Sequence, residues 1–131
     1  MIGRVLDALR HAKLRDAGRR GEDLAHRFLR RNGYVIVARN YRLAGEAEAD
    51  LIAWDGGTLA IVEVKSRESE EYGAPERAID EKKRRNLLKV AREYSRKRGV
   101  AWEAVRIDVI SVVLGDPPKL TLARGAVSTG R

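Results

Sequence analysis

Two apolar runs separated by a short turn constrain this chain more than any other feature. Residues 47–54 and 58–66 flank Asp55-Gly56-Gly57, a combination that is typical of a tight β-hairpin. Close to the turn, both alternating sets of side chains in each run are apolar. A strand pair that is apolar on both faces must be covered on both sides. The hairpin therefore predicts a central strand pair in an α/β fold, with helices packed on the sheet.

The rest of the chain supplies the elements that such a sheet needs. The patterns predict helices over residues 2–14, over 18–32 and from Pro75 to about Arg98, and further strands over 34–38, 104–114 and 119–123. We expect residues 1–17 to form a basic helix or arm, 18–124 to form one domain, and 125–131 to form a disordered tail.

Composition excludes several classes of function. The chain has 131 residues, no cysteine and two histidines, so disulfides, thiolate metal ligands and cysteine nucleophiles are ruled out. Sites that depend on several histidines are disfavoured for the same reason. No run of about 18 apolar residues predicts a membrane span, and the N-terminus lacks the apolar core of a signal peptide. We therefore expect a cytoplasmic protein.

Charge is distributed in three blocks along the chain. Residues 1–44 hold 11 basic and 4 acidic groups, residues 45–81 hold 3 and 11, and residues 82–131 hold 13 and 4. Basic flanks suit a polyanion such as DNA, and an acidic centre suits cations. The solvated surface of a charge-rich protein would have the same composition, so charge alone leaves both interpretations open.

The hairpin also carries a charged cluster at the end away from its turn. An even-length turn places Asp50 opposite Glu63 and Glu48 opposite Lys65, with all four side chains on one face. Opposed like charges destabilise a sheet, and burial of unpaired charge is costly. A hard divalent cation such as Mg²⁺ or Mn²⁺ would resolve the conflict. Alternatively, Lys65 neutralises one carboxylate and the other reaches water, and an odd-length turn would separate Asp50 and Glu63 onto opposite faces.

The order of these residues resembles the PD-(D/E)xK motif of restriction-endonuclease-like nucleases, with Asp50 on one strand and Glu63-Val64-Lys65 on the next. Over residues 18–113 the chain also resembles the YraN family of small bacterial proteins, for which this nuclease fold is predicted. The segments that carry the resemblance are Gly21-Glu22, Gly33-Tyr34, Arg39-Asn40-Tyr41, Glu48-Ala49-Asp50-Leu51-Ile52, Val62-Glu63-Val64-Lys65-Ser66-Arg67 and Lys82-Lys83. The chain departs from that family at Ala47 and Ala49, which replace a usual Gly and Ile and supply no chemistry. Archaeal Holliday-junction resolvases share the same ordered acidic residues.

The resemblance implies a restriction-endonuclease-like three-layer core, in which helices flank a central mixed β-sheet, and a metal-dependent endonuclease that acts on DNA, branched or structured DNA included. It implies that Asp50, Glu63 and the Val64 carbonyl hold Mg²⁺ or Mn²⁺. Lys65 would orient the attacking water and stabilise charge on the phosphate. Glu22 would complete the site, although a glutamate that favours the helix dipole is an equally good interpretation. Glu48 would support the metal ligands from a second layer.

Basic residues near this site are candidates for contacts to the DNA backbone, with a solvated helix face as the alternative. They are Arg67, Lys82, Lys83, Arg84 and Arg85. Asp108 has no catalytic role that we can derive, and we expect it to hold the end of the last strand by hydrogen bonding. The resemblance implies DNA as the partner, with no membrane and no small-molecule cofactor. It leaves a homodimer open, because nucleases of this fold often act as dimers. A non-catalytic DNA-binding module and an adaptor in DNA uptake or repair are the alternative functions.

Overall fold

The predicted hairpin forms the centre of the sheet in the computed structural model, which describes residues 2–45, 47–68 and 79–130. Strands β2 (Glu48–Asp55) and β3 (Thr58–Arg67) are antiparallel, and their paired residues run from Asp55 and Thr58 to Leu51 and Val62. Gly56 and Gly57 alone form the turn between them. The turn therefore has an even length, and the predicted register is confirmed.

Three further strands extend the sheet on both sides of the hairpin. Strand β1 (Val35–Arg42) is antiparallel to β2, strand β4 (Val105–Val113) is parallel to β3, and strand β5 (Lys119–Val127) is antiparallel to β4. The order across the sheet is β1-β2-β3-β4-β5. The parallel β3–β4 pair requires a crossover connection over one face of the sheet, and this connection contains the second long helix.

Helices α1 (Ile2–Arg31) and α2 (Glu81–Arg98) pack on opposite faces and create two separate cores. Each strand sends alternate side chains into the two cores, as its period of two requires. The predicted α/β class, with a central mixed sheet flanked by helices, is confirmed. The α1 core includes Ala25, Leu29, Leu51, Val62 and Ile110, and the α2 core includes Ile52, Ile61, Leu87, Val90 and Ile107.

The two helices that we predicted over residues 2–14 and 18–32 form one helix of 30 residues. The intervening residues contain no proline, and a single glycine such as Gly18 costs a helix only about 1 kcal/mol. The first turns of α1 keep four large apolar side chains exposed, Ile2, Val5, Leu6 and Leu9. The boundary that we expected near residue 17 therefore lies inside a continuous helix.

Helix α2 begins later than the predicted start at Pro75, which lies outside the described residues. Asp80 has extended backbone angles, and its side chain accepts a hydrogen bond of 2.8 Å from the backbone N–H of Lys83. An aspartate in this position satisfies a donor that the helix itself cannot. The helix ends at Gly99, whose φ of 67° confirms the predicted stop.

The last strand is longer than the segment 119–123 that we predicted. Strand β5 continues to Val127, which is buried and pairs with Ile107. A register shift on β4 and a positive φ at Gly125 accompany this extension. The first residues of the expected tail 125–131 are therefore part of the sheet. Neither long helix, over its described residues, combines the length and apolar character needed to cross a bilayer.

Candidate active site

Asp50 lies where the two hairpin strands stop pairing through their backbones. Beyond the Leu51–Val62 pair, the Asp50 Oδ2 atom accepts a hydrogen bond of 2.7 Å from the backbone N–H of Val64. A carboxylate oxygen thus takes the place of a strand carbonyl at the point where β2 and β3 separate. The alternation of β2 also shifts here, because Ala49 and Ile52 both contact the α2 core. The regular alternation of a strand is therefore interrupted between Ala49 and Ile52.

Glu63 is a buried carboxylate with two very different oxygen atoms. Its side chain follows Ile61 on the α2 face of β3, and only 3% of the residue is exposed. Its Oε1 atom lies 3.2 Å from the Lys83 ammonium and 3.7 Å from that of Lys65. Its Oε2 atom is buried and has no hydrogen-bond partner among the described residues. One half of this carboxylate is neutralised by lysines, and the other half remains unsatisfied.

The pKa values indicate that Asp50 and Glu63 interact unfavourably. Burial, followed by the charge of Asp50, raises the pKa of Glu63 to about 7, against the lowering effects of Lys83 and Lys65. An ionised carboxylate in this position lacks enough positive charge around it, so it gains from a proton or from a metal cation. The two carboxylates that the register brought together are therefore electrostatically coupled.

Glu22, on helix α1, is coupled electrostatically to Asp50, although it does not form a group of three carboxylates with Asp50 and Glu63 among the described residues. Burial and then the charge of Asp50 raise the pKa of Glu22, while Arg39, with its Nη2 atom 3.7 Å away, lowers it. The helix comes this close because of Gly21, since a Cβ at that position would overlap the hydroxyl of Ser66 on β3. The Gly21-Glu22 pair thus has a physical explanation. Gly21 permits the close approach of α1 to Ser66 on β3, and this approach brings the next residue, Glu22, near Asp50. We call Glu22, Asp50, Glu63 and Lys65 the acidic site.

Glu48 lies at the margin of the acidic site and has a different partner from the one we expected. Its Oε2 atom is 3.1 Å from the Arg42 Nε atom on strand β1, and its side chain is 41% exposed. We predicted Glu48 opposite Lys65 on the hairpin face. The structure gives it a partner on strand β1, because Glu48 lies directly opposite Arg42 in the β1–β2 pairing.

The basic residues that we proposed as DNA contacts divide into three groups. Lys83 points into the acidic site and contacts Glu63. Arg84 makes two hydrogen bonds of 2.8 Å to Glu81, and the Arg85 Nη1 atom lies 3.7 Å from the same carboxylate. Lys82 is exposed at the start of α2, and Arg67 is half-buried at the end of β3. We missed the place of Lys83 in the site. Its spacing of four from the buried Leu87 puts both residues on one helix face, but Arg84, three residues before Leu87, satisfies the same rule.

The donor atoms of the acidic site fit a divalent cation, but they offer only a few protein ligands. Within the part of the chain that the structure describes, no three His, Asp or Glu side chains are grouped so that they could hold a metal. The available ligands are the carboxylates of Asp50 and Glu63 and the carbonyl of Val64. Oxygen ligands of this kind suit Mg²⁺ or Mn²⁺, which retain water or bind phosphate at their other positions. The unsatisfied Oε2 atom of Glu63 is the observation that favours this fit.

A second charged cluster lies on the α1 face, near the hairpin turn, and we call it the closed network. Asp108 is fully buried, and each of its oxygens accepts hydrogen bonds, from Arg106 (2.7 and 2.8 Å), the Gly125 N–H (2.9 Å) and the Tyr34 hydroxyl (3.0 Å). Arg106 also binds Asp55 at 2.7 Å, and Arg124 donates to Tyr34 at 3.1 Å. The bond to the Gly125 N–H links Asp108 on β4 to strand β5. The closed network consists of Tyr34, Asp55, Arg106, Asp108 and Arg124.

The fold and the acidic site together define a class of protein. A five-stranded mixed sheet between helices, with an aspartate and a Glu-Val-Lys segment on its central hairpin, is consistent with a restriction-endonuclease-like fold. Residues 21–112 match the uncharacterised protein family UPF0102. The chain belongs to this family, the YraN family, and the resemblance is confirmed.

Individual relatives support the same assignment. A UPF0102 protein of Solibacter usitatus is 53% identical, with 96% of this chain and 99% of the relative covered. One from Koribacter versatilis is 41% identical, with 94% of this chain and 90% of the relative covered. A third, from Persephonella marina, is 48% identical over 73% of this chain and 82% of its own length. The similarity thus extends over the sheet, both helices and the acidic site.

Proposed function

We propose that this chain is a metal-dependent endonuclease of the cytoplasm that hydrolyses phosphodiester bonds in DNA, branched or structured DNA included. The observation that carries the proposal is the state of Glu63, a buried carboxylate with one unsatisfied oxygen beside Asp50. Such an arrangement is costly in a protein that gains nothing from it. Strongly perturbed carboxylates next to a lysine are typical of sites that do chemistry.

Each residue of the acidic site has a distinct role in this proposal. Asp50, Glu63 and the Val64 carbonyl would hold Mg²⁺ or Mn²⁺, which would act as a Lewis acid and lower the pKa of a bound water. Lys65 would orient the attacking water and stabilise negative charge on the phosphate. Glu22 would receive hydrogen bonds from water on the α1 side of the site. The hydrogen bond from the Val64 N–H to the Asp50 Oδ2 atom restricts the orientation of this carboxylate, which would leave its other oxygen for the cation.

The charge of the chain supports DNA as the substrate. The net charge is +8, although the central block, which contains Asp50, Glu63 and Lys65, is negative. Phosphate contacts from basic residues supply most of the affinity of a protein for nucleic acid without regard to sequence. Basic flanks would hold the DNA backbone while the acidic centre holds the cation. A homodimer would bring two such sites together when both strands are cut.

One observation favours a second candidate, a DNA-binding module or adaptor without catalysis. The acidic site offers fewer than three grouped carboxylate or histidine ligands among the described residues. Lys83 and Lys65 also neutralise part of the Glu63 charge in the absence of metal. A protein that uses this cluster only as a salt-bridge network would have the same contacts.

A nuclease assay distinguishes the two candidates. Linear, nicked, single-stranded and four-way-junction DNA would be incubated with Mg²⁺ or Mn²⁺ and the purified chain. We expect cleavage by the wild type, none by Asp50→Asn or Glu63→Gln, and DNA binding that is similar or slightly tighter in both variants. Glu103→Gln, an exposed carboxylate, is the matched control and should cleave normally. Absence of cleavage by the wild type on all four substrates, with DNA binding retained, would favour the module.

A further inference from the structure

Lys83 has contacts that its position on a basic helix does not suggest. Its Nζ atom lies 3.2 Å from the Oε1 atom of Glu63, closer than the 3.7 Å of Lys65. Its side chain is 25% exposed, compared with 43% for Arg84 and 59% for Arg85. Lys83 therefore belongs to the acidic site, whereas its two neighbours belong to the surface of α2.

The backbone of Lys83 is held in place from two directions. The Asp80 side chain accepts a hydrogen bond from the Lys83 N–H at 2.8 Å and fixes the first turn of α2. One turn further along, the fully buried Leu87 anchors the helix in the core. The flexible part is the side chain itself, because lysine has four rotatable carbon–carbon links between the backbone and its ammonium. Lys83 can thus change partners while α2 stays in position.

The partner of Lys83 is also a proposed metal ligand, so the two cations compete for it. Lysine and a divalent cation repel each other at the distances that a shared carboxylate imposes. When a cation neutralises Glu63, the attraction that holds Lys83 there becomes weaker. The nearest new anion in the complex would be a phosphate of the bound DNA, which accepts strong hydrogen bonds from an ammonium.

We infer that Lys83 is a metal-dependent phosphate ligand, paired with Glu63 in the metal-free protein and transferred to a DNA phosphate when a divalent cation binds. This inference rests on the proposed function, because it uses the same cation and the same DNA. It goes further by making metal and DNA binding cooperative through one named side chain. Lys65 stays on β3 beside Glu63 and keeps its separate role.

The test measures DNA affinity rather than cleavage. The fluorescence anisotropy of a labelled four-way-junction oligonucleotide would be measured with and without Ca²⁺, a hard cation with oxygen ligands, over a range of salt concentrations. For Lys83→Gln we expect unchanged affinity without Ca²⁺ and about tenfold weaker affinity with it, the loss of one charge-assisted hydrogen bond. With Ca²⁺ the slope of log K against log salt should decrease in magnitude by about 0.9, the value for one phosphate contact.

Three further variants serve as controls for charge and for folding. Lys89→Gln removes an exposed lysine of the same helix, and any effect on affinity should be equal with and without Ca²⁺. Lys83→Arg keeps the charge and should restore most of the Ca²⁺-dependent affinity. If Lys83→Gln does not fold, Lys83→Met retains the apolar stem and is expected to give the same loss.

Several results would overturn the inference. Equal weakening with and without Ca²⁺ would make Lys83 a permanent DNA contact, and no weakening in either condition would make it a structural ion pair. Both of these outcomes leave the nuclease proposal intact if the wild type cleaves DNA. If Ca²⁺ and Mn²⁺ neither stabilise the wild type against heat nor change its DNA affinity, the metal site itself fails, and both proposals fall together.

Discussion

The two buried carboxylates of this sheet, Asp108 in the closed network and Glu63 in the acidic site, have opposite environments. Both oxygens of Asp108 accept hydrogen bonds from arginine, tyrosine and backbone donors. Glu63 has two lysines near one oxygen and no partner among the described residues for the other. A buried charge whose hydrogen-bonding atoms all have partners is compatible with a stable core. A buried charge with unpaired atoms lowers the stability of the folded state. The difference separates a structural cluster from a candidate functional one.

The pKa values follow the same division. In the closed network, burial and then Asp108 raise the pKa of Tyr34 to about 12, which leaves its hydroxyl protonated as a donor. The hydrogen bonds to Asp108 raise the pKa of Arg106, so its charge persists at any ordinary pH. In the acidic site the pKa of Glu63 moves to about 7, close to physiological pH. Glu63 therefore changes its charge state under mild conditions, whereas Tyr34 and Arg106 keep theirs.

The largest effect should come from breaking the closed network. In Asp108→Ala, Arg106 loses its main partner inside a half-buried cluster, and we expect the free energy of unfolding to fall by about 3–5 kcal/mol. Urea denaturation measures this loss. The exposed Asp116→Ala is the control and should change stability by less than about 0.5 kcal/mol. A small effect of Asp108→Ala would mean that the network contributes little to stability.

Removal of the charge of Glu63 should raise the free energy of unfolding, the opposite of the effect of Asp108→Ala. The folded pKa of about 7 exceeds the ordinary value of 4.5, so the folded state binds more protons than the unfolded state between these values. The free energy of unfolding of the metal-free wild type should therefore fall as pH rises from about 4.5 through 7, by about 3 kcal/mol in total. The charges that face Glu63 in this range are Asp50 on β2, Lys65 on β3 and Lys83 on α2.

Glu63→Gln should remove this pH dependence and be more stable than the wild type at pH 8. Near pH 4.5 the two proteins should have similar stability, because the wild-type side chain is then protonated when folded. Thermal melts across this pH range without metal would measure the difference. A variant that is less stable than the wild type at pH 8 would indicate that the ion pairs of Glu63 with Lys65 and Lys83 stabilise the fold by more than the burial of its charge costs. The acidic site would then resemble the closed network, in which the buried carboxylate is fully paired.

A smaller loss of stability should follow from a substitution at the close contact between helix α1 and strand β3. In Gly21→Ala the new Cβ overlaps the Ser66 hydroxyl, and we expect a net loss of about 1–2 kcal/mol despite the better helix propensity of alanine. Gly18→Ala, for which no further atom of the described residues lies within 4 Å of the new Cβ, is the matched control and should be neutral or slightly stabilising. Ser66→Gly should rescue Gly21→Ala in the double variant, as measured by urea denaturation. Failure of this rescue would show that overlap with the Ser66 side chain is not the cause of the loss.

The smallest effect should come from the ion pairs on the surface of α2. Arg84→Ala removes a two-point contact with Glu81, but exposed pairs contribute at most about 0.5 kcal/mol at this spacing. We expect a change within that limit in urea denaturation, and less at high salt. A loss above about 1 kcal/mol would mean that Arg84 has a further partner.

The parts of this molecule that local patterns describe were predictable from sequence. The hairpin and its register from Asp55 and Thr58 to Leu51 and Val62 follow from a two-residue turn and the period of a strand. The closed network was not predictable in this way, because Tyr34 and Asp108 are 74 residues apart. Position alone could not distinguish Lys83 from Arg84 until helix α2 was placed against β3. We misjudged the start of α2, which begins at Glu81 after its capping residue Asp80. Proline and aspartate are both common at the first positions of helices, so Pro75 and Asp80 are equally good candidates in the sequence.

The response of stability to metal tests the central claim most directly, namely that the acidic site binds a divalent cation and that the closed network does not need one. Thermal melts at pH 8 would be recorded with increasing Mn²⁺ for the wild type, Asp50→Asn, Glu63→Gln and the control Glu103→Gln. A cation that binds only the folded state adds RT ln(1 + [L]/Kd), about 2.7 kcal/mol at one hundred times Kd. We predict this gain for the wild type and Glu103→Gln, and a much smaller gain for the two site variants. No shift in the wild type, or an equal shift in all four proteins, would contradict the account.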